Sequence, residues 1–181
     1  MRITGGVWAS RRVAGPGRAT QLRPTPDFLR EQAFAIFAAR LPRVAFLDLF
    51  AGTGVNSLEA LSRGAATALL VERAPAAAAL IHRNFGLLRV PEEQWLLIAR
   101  DARSALSELA GRRIICPLAW CDPPFASWED GPAALALARE LGVLPPGAEV
   151  VLEVPPKGEI ALPGFAVVRE LRGAFLLRAA G

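Results

Sequence analysis

Between Ala45 and Val154 the chain runs through five short, nearly uninterrupted apolar segments, each divided from the next by an amphipathic stretch of helical period. The segments are AFLDLF (45–50), ATALLVE (66–72), QWLLIA (94–99), LAWCD (118–122) and AEVVLEV (148–154). The stretches between them predict helices over Ser57–Arg63, Pro75–Leu88, Ser104–Leu109 and Pro132–Leu141, the second with proline in its first turn. Strands that are apolar on both faces belong to a parallel sheet covered on both sides, and a helix in each connection supplies the cover. The tail breaks this rhythm. FAVVREL (165–171) and AFLLRAA (174–180) are strand-like and divided only by Arg-Gly, which predicts an antiparallel hairpin on the sheet edge.

The expected fold is therefore α/β, a Rossmann-like, doubly wound, mostly parallel sheet with a C-terminal antiparallel hairpin. At 181 residues the chain suits one well-buried domain. Ahead of that core, RITGGVWASRRVA has the alternation of a short two-stranded ribbon, and the segment from Arg18 to Leu41 reads as a loop entering a helix. Asp27 or Thr25 is the expected cap of that helix, with Phe28, Phe34 and Phe37 on its apolar side. Residues 1–43 are thus an N-terminal extension and 44–181 the α/β domain.

Charge separates the same two parts. Residues 1–43 carry eight arginines against Asp27 and Glu31, a balance of +6 in a chain whose formal net charge is +4, which leaves −2 for the remainder. All basic residues except Lys157 are arginine, whose planar fork suits bidentate phosphate contacts and stacking on bases. The extension is accordingly expected to bind nucleic acid. No run of about 18 apolar residues is present and the first residues lack the apolar centre of a signal peptide, so the expected location is the cytoplasm. Cys116 and Cys121 are too few for a disulfide framework and wrongly spaced for a Cys-x-x-Cys site, and His82 is the single histidine. Reduced core thiols and no metal follow.

In an open parallel sheet the chemistry gathers beyond the carboxyl ends of the strands. The first strand ends in LDLFAGTGVNSLEA, with Asp48 ahead of Gly52 and Gly54, glycines that allow a tight turn and a close approach to a ligand. Glu72 closes the second strand, twenty residues after Gly52, the spacing at which an acid accepts from ribose hydroxyls. A dinucleotide would set its pyrophosphate beside Asp48, like charge against like. S-adenosylmethionine has a sulfonium and an ammonium and no phosphate, which turns the same carboxylate into an attraction. Ser57 also replaces the third glycine of the dinucleotide fingerprint, and no Gly-Lys-Ser/Thr follows to make a phosphate loop. The cofactor indicated is S-adenosylmethionine. Asp101, after the third strand, suits its adenine amine or equally the N-cap of the next helix.

Asp122-Pro123-Pro124-Phe125 closes the fourth strand. Pro123 biases Asp122 to an extended conformation, and both prolines have fixed φ and no N–H. The result is a stiff turn presenting the Asp122 carboxylate and the Pro123 carbonyl as acceptors beside an aromatic face. An exocyclic base amine has two N–H donors and a lone pair delocalised into its ring. Two acceptors on those hydrogens draw the nitrogen toward tetrahedral geometry and localise the pair toward a methyl donor, so that positioning and fixed electrostatics supply the acceleration. Phe125 can stack on the target base. Alone, the four residues would read as a capped turn; three strands after an acid-and-glycine motif they indicate amine methylation.

These motifs resemble the class I S-adenosylmethionine-dependent methyltransferases acting on exocyclic amines. RITGGVWASRR, LRPTPDFLREQAFAIF, DLFAGTGVNSLEALSRGA and CDPPF, in that order, are similar to the bacterial 16S rRNA guanine-N2 methyltransferase family (RsmD) over nearly the whole chain. The resemblance implies methylation of one guanine of 16S rRNA, within the small ribosomal subunit or its assembly intermediate; the expected oligomeric state is a monomer. The resemblance carries Asp48 and Gly52 to the methionine end of the cofactor, Glu72 to the ribose and Asp101 to the adenine, with Phe50, Gly54, Arg73 and Ala102 also expected to bind the cofactor. Asp122, Pro123, Pro124 and Phe125 take the amine; Arg2, Arg11, Arg12, Arg23, Thr25 and Arg30 face the RNA. The chain departs from the family pattern at Ser10, at Pro26 and in a final hairpin poor in aromatics. Two other readings are a DNA adenine-N6 methyltransferase, for which no target-recognition segment is visible, and an RNA-binding ribosome assembly factor without turnover, against which the intact Asp122 motif argues.

Overall fold

The computed structural model describes residues 1–15, 25–156 and 160–181. Among these residues one sheet contains β1 (Ala45–Leu49), β2 (Thr67–Val71), β3 (Trp95–Ile98), β4 (Leu118–Cys121), β5 (Glu149–Glu153), β6 (Phe165–Leu171) and β7 (Ala174–Ala179). Their order is β3-β2-β1-β4-β5-β7-β6. The first five pair in parallel, and β7 runs antiparallel to β5 and β6. Strand register and the hairpin at the edge agree with the apolar pattern of the sequence.

The helices are α1 (Asp27–Phe37), α2 (Val55–Ser62), α3 (Pro75–Leu87), α4 (Ala102–Gly111) and α5 (Asp130–Glu140). Because strand side chains alternate, the sheet has two cores. Phe46 and Trp120 face one side, with Phe34 and Phe37 of α1, Leu58 of α2 and Phe85 of α3. Leu47, Leu49 and Cys121 face the other, with Leu106 and Leu109 of α4 and Leu135 of α5. Both cysteines are buried and unpaired. No described helix is long and apolar enough to cross a membrane.

Three helices begin earlier than their apolar period predicts, and local caps explain it. Gly54, in the left-handed region at φ 74°, lets α2 start at Val55. Asp101 caps α4 by accepting from Ser104 N. Pro132 falls in the first turn of α5, where its missing N–H is harmless.

The N-terminal extension forms the expected ribbon in short form: Val13 N donates to Met1 O at 3.0 Å, Ile3 N to Arg11 O at 2.9 Å and Ser10 N to Ile3 O at 2.8 Å, around an antiparallel bridge between Arg2 and Arg12, with a 3-10 turn at Gly6–Trp8 between. The arm is also held by α2. Ser62 Oγ donates to Gly5 O at 2.6 Å and accepts from Trp8 N at 2.9 Å. Gly6 is left-handed at φ 77° and lies so close to the Ser62 backbone that a Cβ would collide with its carbonyl oxygen. Ile3 and Val13 enter the same core as Phe34, so the arm packs as part of the α/β body.

α1 has no side-chain cap: Pro26 occupies the N-cap, Thr25 is bonded elsewhere and Asp27 pairs with Arg2 and Arg30. Of the three phenylalanines expected on its apolar side, Phe34 and Phe37 are buried but Phe28 is exposed.

Candidate active site

The chain lays down β1, β2 and β3 toward one edge and then returns to place β4 on the other side of β1. At such a reversal the connections leaving the two neighbouring strands part to opposite faces, and a crevice opens at their carboxyl ends. Asp122 N donates to Leu49 O at 3.2 Å, so the turn after β4 departs beside the glycine loop after β1. A cleft of about 900 Å³ opens here, lined by the ends of β1 to β5 and by Thr25 and Pro26 at the entry to α1.

The floor is the loop Phe50–Thr53. Phe50 itself stands at φ 62°, a conformation costly for a bulky side chain and found mainly where the surroundings enforce it. Three bonds do so here. Ala51 N donates to Val71 O at 3.0 Å, Gly52 N to Glu72 Oε2 at 2.9 Å, and Asn84 Nδ2 to Thr53 O at 2.9 Å. Glu72 also accepts from Ala74 N at 2.8 Å, which leaves further lone pairs on a carboxylate that offers about four. Asp101, exposed at the cleft edge, accepts from the N–H and hydroxyl of Ser104, and these bonds hold its carboxyl below the usual range and ionised.

The opposite wall is Asp122–Ser127, with Phe125 37% exposed. Gly131, in the first turn of α5, abuts this wall: a Cβ there would lie 2.6 Å from Pro123 Cγ. Between the walls lies Glu153, at the end of β5. Its Oε1 accepts from Thr25 Oγ1 at 2.8 Å and from Trp120 Nε1 at 3.1 Å. Trp128 lies outside the cleft lining, half-buried in the second core, its Nε1 donating to Glu153 O at 3.3 Å.

Chemically the cleft offers carboxylate and carbonyl acceptors on both walls, a sharply bent backbone floor and one exposed aromatic ring. It suits a ligand rich in hydroxyl and amine donors. Among the described residues no group of three or more His, Cys, Asp or Glu side chains could hold a metal ion.

A family model described as Conserved hypothetical protein 95 matches residues 1–172. The chain belongs to this family. A curated relative from Escherichia coli (strain K12), "Ribosomal RNA small subunit methyltransferase D", is 37% identical over 126 residues, 69% of the chain. The matched part spans only 60% of that relative's length. Among solved structures, an Escherichia coli protein provisionally called a methyltransferase superposes with a TM-score of 0.81 at 27% identity, covering 99% of the chain and 98% of the other. A hypothetical protein from Thermus thermophilus superposes with a TM-score of 0.80 at 28% identity and the same coverage.

Within this family fold, the cleft brings together Phe50 and Gly52, Glu72 and Arg73, Asp101 and Ala102, Asp122 to Phe125, and Thr25. Asp48 and Gly54 do not line it. Asp48 is fully buried under the loop, and its Oδ2 accepts from Ser57 N at 3.1 Å and Ser57 Oγ at 2.7 Å, tying β1 to the first turn of α2. Gly54 is needed for its backbone angle and for space, since a Cβ would lie 3.0 Å from Phe85.

Arg30 corrects the sequence reading outright. It is fully buried, not RNA-facing: it pairs with Glu59 at 3.3 Å and Asp27 at 2.8 Å, and donates to the carbonyls of Thr25 and Arg2. Arg2 is exposed but engaged by Asp27, Arg11 and Arg12 are exposed, and Arg23 lies outside the described residues. Glu153, Asn56 and Thr53 were not singled out from the sequence although they line the cleft. Glu153 had a signal, since it ends a strand on an acid as Glu72 and Asp122 nearly do. Asn56 and Thr53 had none.

Proposed function

We propose that this chain transfers a methyl group from S-adenosylmethionine to the exocyclic N2 amine of a guanine in 16S rRNA, on the small ribosomal subunit or its assembly intermediate. The observation that carries the reading is the Asp122–Phe125 turn, backbone-bonded to the strand bearing the glycine loop at the sheet's switch point. The name of the Escherichia coli relative supports the rRNA substrate.

The residues present fit the cofactor. Glu72 has acceptor capacity left for ribose hydroxyls, Asp101 is ionised at the edge beyond β3, and the glycine loop permits close approach. When bound, S-adenosylmethionine supplies an electrophilic methyl group on sulfur. The Asp122 carboxylate and the Pro123 carbonyl accept the two hydrogens of the target amine and fix its lone pair toward the methyl donor. Phe125 packs on the plane of the base and excludes water from that face. The surplus proton of the methylated amine would pass to a carboxylate oxygen of Asp122 and on to solvent, the sulfur departing as a neutral thioether. Orientation of this kind contributes roughly 7–11 kcal/mol to lowering a barrier.

Incubation with labelled S-adenosylmethionine and, separately, naked rRNA, small subunits and duplex DNA, followed by nucleoside mass spectrometry, tests the reading. N2-methylguanosine from an rRNA-containing substrate is expected. N6-methyladenine in the DNA would overturn it.

A further inference from the structure

We infer that Phe28 and Arg172 form a second nucleotide site on the rim of the cleft, which stacks an unpaired RNA base adjoining the target nucleotide and holds its phosphate. The inference rests on the RNA-methylation reading above, and it concerns two residues that the cleft itself does not use.

Phe28 is 45% exposed although it belongs to a helix whose other two phenylalanines are buried. It follows Pro26, a residue of the cleft wall, by two positions. The Arg172 guanidinium carbon lies 5.4 Å from the centre of the Phe28 ring. Arg172 belongs to the β6–β7 turn, and that turn is fastened to the same wall: Gly173 O accepts from Val154 N at 3.0 Å, and Ala174 is the register partner of Glu153. Glu153 lines the cleft and holds Thr25 at 2.8 Å. Phe28, Arg172, Thr25 and Glu153 therefore form one continuous rim, reached from three separate parts of the chain.

An exposed ring partly covered by a guanidinium has a definite chemical preference. The open aromatic face accepts any base by stacking, and the guanidinium offers a second plane together with donors for a phosphate oxygen. With Phe125 exposed inside the cleft, the protein presents two aromatic faces, one within and one on the rim. That is the arrangement needed to hold a flipped nucleotide and its neighbour. The polyanion is favoured as occupant by the surplus of arginine over acid in the first 43 residues, of which Ile3 and Val13 share a core with α1.

The test uses the full chain and the variants Phe28→Leu and Arg172→Ala. Leucine keeps an apolar side chain on α1 but removes the ring face. Methyl transfer to an rRNA fragment containing the target is followed for kcat and KM, alongside cofactor affinity, melting temperature and the fluorescence of 2-aminopurine placed next to the target guanine. Phe28→Leu should raise the KM for RNA roughly five- to hundredfold, with kcat, cofactor affinity and melting temperature near their original values. The quenching of 2-aminopurine on binding should disappear as well. Variants with unchanged KM and quenching, beside an active unsubstituted chain, overturn the rim site alone. An unsubstituted chain that binds and quenches in a Phe28-dependent way but transfers no methyl supports the rim site and overturns the activity. A chain that does neither overturns both.

Discussion

Burial pushes the Asp48 carboxyl from 3.8 up to about 7; the Ser57 hydroxyl and N–H pull it the other way, and the charges of Glu72 and Glu153 add to the rise. The folded chain holds this proton more tightly than the unfolded chain. Its contribution to stability is fully present below about pH 4 and is lost as pH rises through about 7, at about 1.4 kcal/mol for each unit of difference. Asp48→Asn should flatten that part of the pH–stability profile, read by urea unfolding between pH 4 and 8. A profile of unchanged slope would assign the titration to another group. Gly131 makes a second single-residue case. Alanine in a helix is ordinarily worth about 1 kcal/mol over glycine, but here its Cβ meets the Pro123 ring. Gly131→Ala should therefore displace the Asp122 turn and lower the transfer rate roughly 10- to 100-fold with cofactor affinity retained. Full activity in a stabilised variant would contradict this packing. Burial likewise raises the Cys116 thiol to about 12 and Cys121 well above its ordinary value, so neither thiol has the character of a nucleophile.

At the scale of elements, the parallel strands and their helices were legible because each is decided by its own apolar period. The arm's attachment to α2 and the start of α1 were not, because their partners are remote in sequence. Ser62 sets the path of Gly5 to Trp8, and Thr25 is taken by Glu153, 128 residues away. Arg30 shows the same limit. Its sequence setting, an arginine in a basic segment, gives no sign that Glu59 lies 3.3 Å off in the core. Glu59 also pairs with Arg63 at 3.3 Å and accepts from Thr4 N at 2.6 Å, so this one carboxylate joins the arm, α1 and α2. Removing one partner of such a buried pair leaves an uncompensated charge, and Arg30→Met should cost about 3–5 kcal/mol in denaturant unfolding. A loss below about 1 kcal/mol would mean that Arg63 alone satisfies Glu59.

Across the whole molecule, the sheet order gathers the carboxyl ends of five strands around one cleft, and acids at strand ends were the part of the site that the sequence displayed. Asp48 was recognised but misplaced by one layer, because the period-two alternation of β1 sets it on the face of Phe46, beneath the loop. The charge asymmetry has its consequence at this scale too. Changing Arg11, Arg12 and Arg23 to alanine should weaken RNA binding and reduce its salt slope by roughly 2, at about 0.7 for each single-strand phosphate that is no longer neutralised by an arginine. An unchanged slope in a filter-binding titration would remove the extension from the RNA interface. The central claim is that methyl transfer occurs at the Asp122 turn, where β4 leaves the sheet beside the glycine loop. Single-turnover transfer from labelled S-adenosylmethionine to rRNA by Asp122→Ala, set beside its cofactor affinity, tests that claim most directly. Loss of transfer with affinity retained is the predicted result; undiminished transfer would contradict it.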